Sequence, residues 1–201
     1  MRVLVVGGGG REHAIVEALR RSGAEILAAM ANQNPGIRRV AKDVLLGDVN
    51  AVGPITEWAR HGGAELAVVG PEAPLGNGIA DALEAAGIPT VGPTKAAAQL
   101  ETNKEFTREL MKEYGIPGMP TYWAFDSYGP FSEFVLDSAF EFVIKPLGLT
   151  SGKGVQVWGD HFSSKEGALA YGREILEKRI GGQARFLVEE KLVGEEFSLQ
   201  A

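Results

Sequence analysis

The segment with the clearest chemical potential runs from Lys145 to Val155, with the sequence Lys-Pro-Leu-Gly-Leu-Thr-Ser-Gly-Lys-Gly-Val. An apolar run ends at Lys145, and a lysine at the end of a buried strand is unfavourable unless an anion meets it. Gly152 and Gly154 flank a second lysine, Lys153, and the N–H groups of glycines can surround phosphate oxygens. The segment therefore predicts a hairpin flap that closes over a polyphosphate.

A second anion site is predicted where four glycines, residues 7–10, separate an apolar run from a helical pattern. Helix N-termini bind anions, and Arg11 at that end is unfavourable without one. A dinucleotide fingerprint fits poorly, because Glu12 or His13 stands where a third glycine is needed and no acidic residue ends the next strand. A phosphate ester is therefore the expected ligand, and a tight turn without a ligand is the alternative.

Three weaker sites follow along the chain. Glu72 comes just after a strand that ends at Val69, where open α/β sheets bind ligands, so it could meet an amine or be a solvated glutamate. Lys104 begins a helix, where a cation again suggests an anion, although a surface lysine is the alternative. The acidic segment from Glu189 to Glu196 could offer backbone groups to a purine and a carboxylate to ribose hydroxyls, or be an ordinary acidic loop.

Alternating strands and helices position the first of these sites. Strands are predicted at 2–6, 25–30, 44–46, 66–69 and 88–91, and helices at 11–22, 51–60 and 79–86. Apolar strands that alternate with helices are typical of a doubly wound α/β domain with a parallel sheet.

The pattern changes after residue 92. Residues 95–114 are largely helical, with a break near Thr102 and Asn103, and a breaker-rich linker follows at 115–120. The predicted order is then strand 121–125, helix 131–136, strand 141–145, the glycine loop, strand 154–158, helix 163–178 and strand 185–190. Ser163 with Glu166 is a capping-box signature for the last helix. The second unit is predicted to be a small α+β domain.

Composition excludes several classes of protein. The chain has 201 residues, is 45% hydrophobic and 23% charged, and carries a net charge of −6 with no cysteine. Disulfides, thiolate nucleophiles and cysteine-ligated metals are therefore excluded. An acidic chain without a basic block is a poor nucleic-acid binder, and no apolar run approaches the roughly 18 residues that span a bilayer. We expect a cytoplasmic protein that binds neither nucleic acid nor membrane.

The order of these features resembles the ATP-grasp superfamily, in which ATP lies between two α+β subdomains. Further motifs resemble the phosphoribosylamine–glycine ligase family, also called glycinamide ribonucleotide synthetases, over essentially the whole chain. They are Gly-Gly-Gly-Gly-Arg-Glu-His-Ala at 7–14, Val-Gly-Pro-Glu-Ala-Pro-Leu at 69–75, Gly-Pro-Thr-Lys-Ala-Ala-Ala-Gln-Leu-Glu at 92–101, and the flap motif at 148–155.

The resemblance implies a role for each candidate residue. The ATP phosphates would meet two lysines, Lys104 and Lys145. The flap over them would consist of Gly152, Lys153 and Gly154, and the catalytic residues would be Lys145 and Lys153. The adenine edge would be held by Glu189 and the backbone of Leu192, and the ribose by Glu196. The phosphoribosylamine side would contain Gly8, Gly9, Gly10, Arg11 and Glu72.

The reaction that the resemblance implies joins glycine to 5-phosphoribosylamine through glycyl phosphate, with ATP going to ADP and phosphate, in de novo purine biosynthesis. Such a reaction needs no protein nucleophile. It needs charge neutralisation on the transferring phosphoryl group, alignment and exclusion of water. ATP and Mg²⁺ are the expected cofactors, with the metal ligands expected beyond residue 201 and none within the chain.

Two segments depart from the family pattern. The usual flap, Lys-Ala-Asp-Gly-Leu-Ala-Ala-Gly-Lys-Gly, is replaced at 145–154 by a version that keeps both lysines and the final Gly-Lys-Gly but lacks the acidic residue. The segment from Asn32 to Gly36 replaces a more usual Pro-Gly-Asn.

Members of this family continue well past the position of Ala201, so we expect the chain to contain only the first of their domains. We expect an N-terminal α/β domain at 1–100, a helical linker at 101–120, a small ATP-grasp lid subdomain at 121–188 and a truncated start of the large subdomain at 189–201. The chain would then be a fragment, a split-gene half or a truncated product that is inactive alone. A separate chain could supply the missing C-terminal half.

Three other functions stay open from the sequence. Another ATP-grasp ligase, such as a purine-pathway carboxylase or a biotin carboxylase, is the nearest enzyme alternative. A non-catalytic ATP-binding fragment belongs to a different class. A dinucleotide-dependent oxidoreductase fits least well, because the glycine turn lacks the required third glycine.

Overall fold

The computed structural model describes residues 1–148, 154–195, 197 and 199. The chain forms two compact units, Met1–Thr102 and Asn103–Ala201, each with its own sheet and core. No helix in the described residues is both long and apolar enough to cross a membrane.

The first unit is built on a five-stranded parallel sheet with the order β3-β2-β1-β4-β5. Its strands are β1 (Arg2–Val6), β2 (Glu25–Met30), β3 (Asp43–Leu46), β4 (Leu66–Val69) and β5 (Thr90–Val91). From β1, the chain adds β2 and β3 on one side of the sheet. It then returns to the centre, where β4 pairs with the other edge of β1. This order confirms the predicted doubly wound domain.

Both faces of this sheet are buried, which explains its continuous apolar strands. Leu4 and Val6 of β1 pack into one core cluster, whereas Val3 and Val5 pack into the other. Successive side chains alternate between the faces of a strand, so each strand contributes to both clusters. Both clusters consist mainly of aliphatic residues.

Six helices belong to the first unit. They are α1 (Gly10–Arg21), α2 (Pro35–Val40), α3 (Val52–His61), α4 (Glu72–Gly76), α5 (Ile79–Ala85) and α6 (Lys95–Thr102). The sequence prediction lacked α2 and α4, which are short. Glu72, predicted to come just after the strand that ends at Val69, is the first residue of α4. The predicted strand at 88–91 is reduced to the two residues of β5.

The second unit is an α+β unit, as predicted, and its four-stranded sheet has the order β6-β9-β7-β8. Its elements are α7 (Lys104–Glu113), β6 (Tyr122–Phe125), α8 (Tyr128–Asp137), β7 (Phe142–Pro146), β8 (Gln156–Val157), α9 (Lys165–Lys178) and β9 (Phe186–Glu190). The three strand pairs formed by these described strands are antiparallel.

One face of this second sheet packs against α8 and α9 through aromatic side chains. Phe142 and Ile144 of β7, with Phe186 and Val188 of β9, belong to this core. Ring pairs such as Phe131 and Phe186, with centroids 4.8 Å apart at 88°, are stabilised by edge-to-face contact. The intervening residues of β7 and β9 point to the other face of the sheet.

Several boundaries of the second unit differ from prediction, and α8 begins at Tyr128 rather than at residue 131. The N-cap of α9 is Ser164, which accepts from the Gly167 N–H, so the predicted N-cap at Ser163 was wrong by one residue, and Gly167 has no side chain to complete a capping box. β8 covers Gln156–Val157 rather than 154–158. No strand follows β9 in the described residues 191–195, 197 and 199.

Candidate functional site

The centre of the candidate site in the second unit is a cross-strand ion pair. Glu189 of β9 lies opposite Val143 of β7, and Lys145 is two residues further on the same face. Such diagonal neighbours are close enough for long side chains to meet. The Lys145 Nζ donates to Glu189 Oε2 at 2.6 Å. The register of two strands therefore brings together two residues predicted from separate segments.

A second cation reaches the same carboxylate from α7. Arg108 Nε donates to Glu189 Oε1 at 2.9 Å. Glu189 is only 2% exposed. Burial opposes its charged form, but the hydrogen bonds from Arg108 and Lys145 outweigh burial and hold the pKa of Glu189 below its usual range. The carboxylate is thus a charged group with both oxygens engaged.

Lys104 is the first residue of α7, and its ammonium group lies at the end of β7. Its Nζ donates to the carbonyl oxygens of Pro146, at 3.3 Å, and Gly148, at 2.9 Å. The N-cap of α7, Asn103, accepts from the Phe106 N–H and so fixes the start of the helix that carries Lys104. The lysine is therefore directed at the point where the chain enters the predicted flap.

The entry to the flap is also fixed by two glycines with left-handed backbone conformation. Gly148 has a φ of +87° and Gly181 a φ of +82°. A Cβ at Gly148 would overlap the Gly181 carbonyl oxygen, and one at Gly181 would overlap the Leu147 carbonyl oxygen. Any other residue type at either position would push these two backbone segments apart.

The ion pair lies at the wall of a cavity of about 490 Å³ within the second unit. Charged and apolar side chains share its lining: Arg108, Val143, Lys145, Val155, Val157, Asp160, Glu189, Glu190, Lys191 and Leu192, with Gly118 and Pro120. Apolar walls suit a flat aromatic ring, and ammonium and guanidinium groups suit phosphate oxygens. The lining therefore combines groups that suit a flat ring with groups that suit an anion.

The described residues include only part of the predicted ATP set. Leu192 lines the cavity, and the Gly154 carbonyl oxygen accepts from the Tyr171 hydroxyl at 2.6 Å. Gly152, Lys153 and Glu196 lie outside the described residues. Their assigned roles stay predictions.

Sequence reasoning missed Arg108 and the valines of the cavity wall. Arg108 follows Lys104 by four residues, which places both on one face of α7, and this spacing was a usable signal. Val155 and Val157 alternate along the chain in the predicted strand after the flap. Which side of that strand would face a cavity could not be read without the pairing of β7 and β8.

In the first unit, the glycine turn is organised by a buried carboxylate. Glu12 is 5% exposed and accepts from the Gly9 N–H at 2.7 Å and from Arg11 Nε at 3.0 Å. A Cβ at Gly7 or Gly70 would overlap the Glu12 side chain. Several glycines around this turn are therefore required by Glu12 itself, and the Gly9 N–H is already committed.

The structure brings Arg11 and Glu72 together beside this turn. Arg11 Nη1 and Nη2 each lie 3.4 Å from Glu72 Oε1, and both side chains are about half exposed. The hydrogen bond to Glu12, followed by the charge of Glu72, raises the pKa of Arg11 above its usual value. β1 and β4, which lead to these residues, are neighbours at the point where the strand order reverses, where open α/β sheets bind ligands.

Asn34 braces the turn from the side of α2. Its Nδ2 donates to the Gly8 carbonyl oxygen at 3.0 Å, and its Oδ1 accepts from the N–H groups of Gly36 and Ile37. The His13 ring packs on Gly36, where a Cβ would overlap it. The segment that departs from the family pattern thus supports the backbone of the glycine turn.

The described residues contain no group of three or more His, Cys, Asp or Glu side chains that could hold a metal ion. We therefore assign no described residue as a ligand of the expected Mg²⁺.

The second unit, an antiparallel sheet with helices packed on one face, has the fold of an ATP-grasp protein. The same fold is found in the biotin carboxylase domain of the Hydrogenobacter thermophilus 2-oxoglutarate carboxylase, which was solved with MgADP and bicarbonate. The match covers 95% of this chain and 44% of the length of that chain, at a TM-score of 0.76 and 18% identity. At that identity, the match shows the fold alone.

Family models identify the chain more narrowly. Residues 1–101 match the N domain of phosphoribosylglycinamide synthetase, and residues 102–201 match the ATP-grasp (A) domain of the same enzyme. The chain belongs to the phosphoribosylglycinamide synthetase family.

Individual relatives agree with this assignment. The chain is 48% identical to the phosphoribosylamine–glycine ligases of Methanothermobacter thermautotrophicus and Methanococcus vannielii, over 100% and 99% of its length. The crystal structure of the Thermotoga maritima phosphoribosylamine–glycine ligase matches 97% of the chain and 45% of its own, at a TM-score of 0.72 and 25% identity. The chain spans 46% of the length of both archaeal relatives.

Proposed function

We propose that the chain supplies the nucleotide site and part of the substrate site of a phosphoribosylamine–glycine ligase in de novo purine biosynthesis. The observation that carries the proposal is the buried Glu189, which holds Lys145 and Arg108 at the wall of the cavity of about 490 Å³. This cavity lies in the unit that matches the ATP-grasp family domain. Because the chain spans 46% of the length of its relatives, the complete activity is proposed for a protein of the relatives' length.

ATP would lie with its adenine against the apolar walls of the cavity. Val143 and Val157 provide such walls, and the Leu192 backbone is the proposed partner of the adenine edge. Lys145, with Lys104 at the end of the same strand, would meet the phosphates, where an ammonium is a strong donor. In the same proposal, Gly152, Lys153 and Gly154 cover the phosphates and Glu196 meets the ribose.

The proposed chemistry has two steps. A glycine carboxylate oxygen attacks the γ-phosphorus of ATP, and the bond to the β–γ bridging oxygen breaks to release ADP. The nitrogen of 5-phosphoribosylamine then attacks the carbonyl carbon of glycyl phosphate, loses a proton and expels phosphate. The lysines stabilise the negative charge on the phosphoryl oxygens, and no protein nucleophile takes part.

The glycine turn would receive 5-phosphoribosylamine. Arg11 offers a cation to the phosphate, and Glu72 offers a carboxylate to the amine. Since Glu12 already uses the Gly9 N–H, the anion would meet the N–H groups of Gly8 and Gly10 instead.

Mg²⁺ bound with ATP would neutralise phosphate charge. The described residues offer no cluster that fits this ion, so the steps above assign no residue of the chain to it.

The proposal can be tested with a chimera in which this chain replaces the matching segment of the Methanothermobacter thermautotrophicus ligase. We expect formation of glycinamide ribonucleotide that requires glycine, ATP and 5-phosphoribosylamine, with one ADP per product. In the chimera, K145A is expected to lower kcat/KM for ATP by ~100-fold or more, the effect typical of losing one donor to transition-state charge.

The matched control is K178A, which removes an exposed lysine paired with Glu174. Its kinetics should equal those of the parent chimera. ATP turnover that is stimulated by bicarbonate and not by glycine would favour an ATP-grasp carboxylase instead. ATP binding without any turnover would favour the non-catalytic alternative.

A further inference from the structure

Glu189 is shared by two cations that are partly accessible to solvent. Glu189 is 2% exposed, while the side chains of Lys145 and Arg108 are 25% and 20% exposed. This cluster of one carboxylate and two cations carries a net charge of +1, although the whole lining is neutral once Lys191, Asp160 and Glu190 are added. The positive charge of the cluster attracts anions locally.

The two cations contact different oxygens of the carboxylate. Lys145 Nζ meets Oε2, and Arg108 Nε meets Oε1. Lys145 can therefore leave while the Arg108 contact is kept. Without Arg108, the departure of Lys145 would leave a buried carboxylate unpaired, which is strongly unfavourable. In the absence of Arg108, Lys145 would therefore stay on Glu189, because it would be the one remaining cation paired with that carboxylate.

The other charged residues that line the cavity do not take the place of Arg108. Lys191 Nζ donates to Glu141, at 2.8 Å, and to the Trp158 carbonyl oxygen, at 2.7 Å. Glu190 accepts from the Thr121 N–H at 2.8 Å. Asp160, which is exposed, adds negative charge.

We infer that Arg108 is a positioning residue of the nucleotide site, which holds Glu189 so that Lys145 can turn from this carboxylate to the phosphates of a bound nucleoside triphosphate. The inference rests on the proposed function and adds to it a residue that does not itself touch the phosphates. Arginine suits this role because it stays charged and its planar group binds carboxylates in a fixed geometry.

The test compares ATP binding by calorimetry in the 201-residue chain and in its R108M, R108K and R108M/E189Q variants. We expect R108M to weaken ATP binding by ~10-fold, since Lys145 stays on Glu189. R108K keeps a cation but loses the planar group, so its ATP affinity should lie between that of R108M and that of the original chain. In R108M/E189Q, Lys145 has no carboxylate to hold it, so ATP should bind at least ~3-fold more tightly than it binds to R108M.

The matched control is K112M, which removes a positive charge from an exposed residue of the same helix and should leave ATP binding unchanged. The double variant also guards against misfolding, because it buries no unpaired carboxylate. The positioning role is wrong if R108M binds ATP as well as the original chain, or if R108M/E189Q binds no better than R108M.

A second readout needs no nucleotide and separates this inference from the proposed function. Acetylation of Lys145 by acetic anhydride, followed by mass spectrometry with the exposed Lys178 as internal reference, reports how tightly the ammonium is held. R108M should slow acetylation of Lys145 several-fold, and R108M/E189Q should restore it. If the original chain binds no ATP, the nucleotide site fails in this chain. An unchanged acetylation rate in R108M overturns the role of Arg108.

Discussion

Each of the two units contains a buried glutamate, and the two are used differently. Glu12 accepts from groups one and three residues away, whereas Glu189 accepts from groups 44 and 81 residues away. The first carboxylate shapes a local backbone turn, and the second joins a helix to two strands. The comparison shows that burial of a carboxylate does not define its role, because the sequence distance of its partners decides what is lost with it.

The largest expected difference between the two glutamates is in stability. E189A leaves Lys145 and Arg108 without their shared anion, and we expect it to lower the free energy of unfolding by about 3–5 kcal/mol, as for other broken buried pairs. Urea denaturation at pH 7, followed by circular dichroism, measures this loss.

E12A should lower the free energy of unfolding by only about 1–2 kcal/mol, since it removes a capping acceptor and one ion pair to a half-exposed arginine. Equal losses in the two variants, measured in the same way, would contradict the distinction between a local turn and a long-range junction.

A smaller effect tests the packing of glycines around Glu12. A Cβ at Gly70 would overlap the Glu12 carboxylate, so G70A should destabilise the chain by about 1–3 kcal/mol. In E12A/G70A the overlap is absent, and the loss should be smaller than the sum of the two single losses.

The control for G70A is G53A, because Gly53 lies in α3 with open space around its Cα. This change should be neutral or slightly stabilising, as expected for alanine in a helix. Additive losses in E12A/G70A would show that Gly70 does not make room for Glu12.

The smallest expected effect is the change of the unfolding free energy at acid pH. The pKa of Glu189 is below its ordinary value of 4.5, so its charge stabilises the fold above about pH 4.5, and this contribution is lost as the pH falls through the folded-state pKa. The difference in unfolding free energy between the original chain and E189Q should therefore narrow between pH 5 and pH 3. Urea denaturation at several pH values measures it.

The pKa values of the exposed Glu25 and Glu166 are also lowered. Both residues are present in the original chain and in E189Q, so their contributions cancel in the difference between the two unfolding free energies. A difference that stays constant from pH 7 to pH 3 would mean that Glu189 is not preferentially charged in the folded chain.

Much of the fold could be predicted because local patterns determine it. The strands at 2–6, 25–30 and 66–69 were placed with the bounds of β1, β2 and β4, since each is a compact apolar run beside a glycine or a charged residue. The short helices α2 and α4 were missed because each begins at a proline-containing segment that also suits a turn.

The candidate site was less predictable, because its contacts depend on sequence-distant pairing. Lys145 and Glu189 were chosen separately, and only the register of β7 and β9 shows that they contact each other. Arg108 had a helical-spacing signal but no visible partner until α7 and β9 were placed. In the first unit, Glu12 looked like a misplaced residue in a glycine motif, whereas it is the residue around which that motif is packed.

The contrast between the aliphatic first core and the aromatic second core has a spectroscopic consequence. The chain has three tryptophans: Trp58 packs on the first core, and Trp123 and Trp158 pack in the second. In W123F/W158F, the indole fluorescence would come from the first unit alone, and in W58F from the second alone. The unfolding of each unit can thus be followed by its own intrinsic fluorophore, with no label attached.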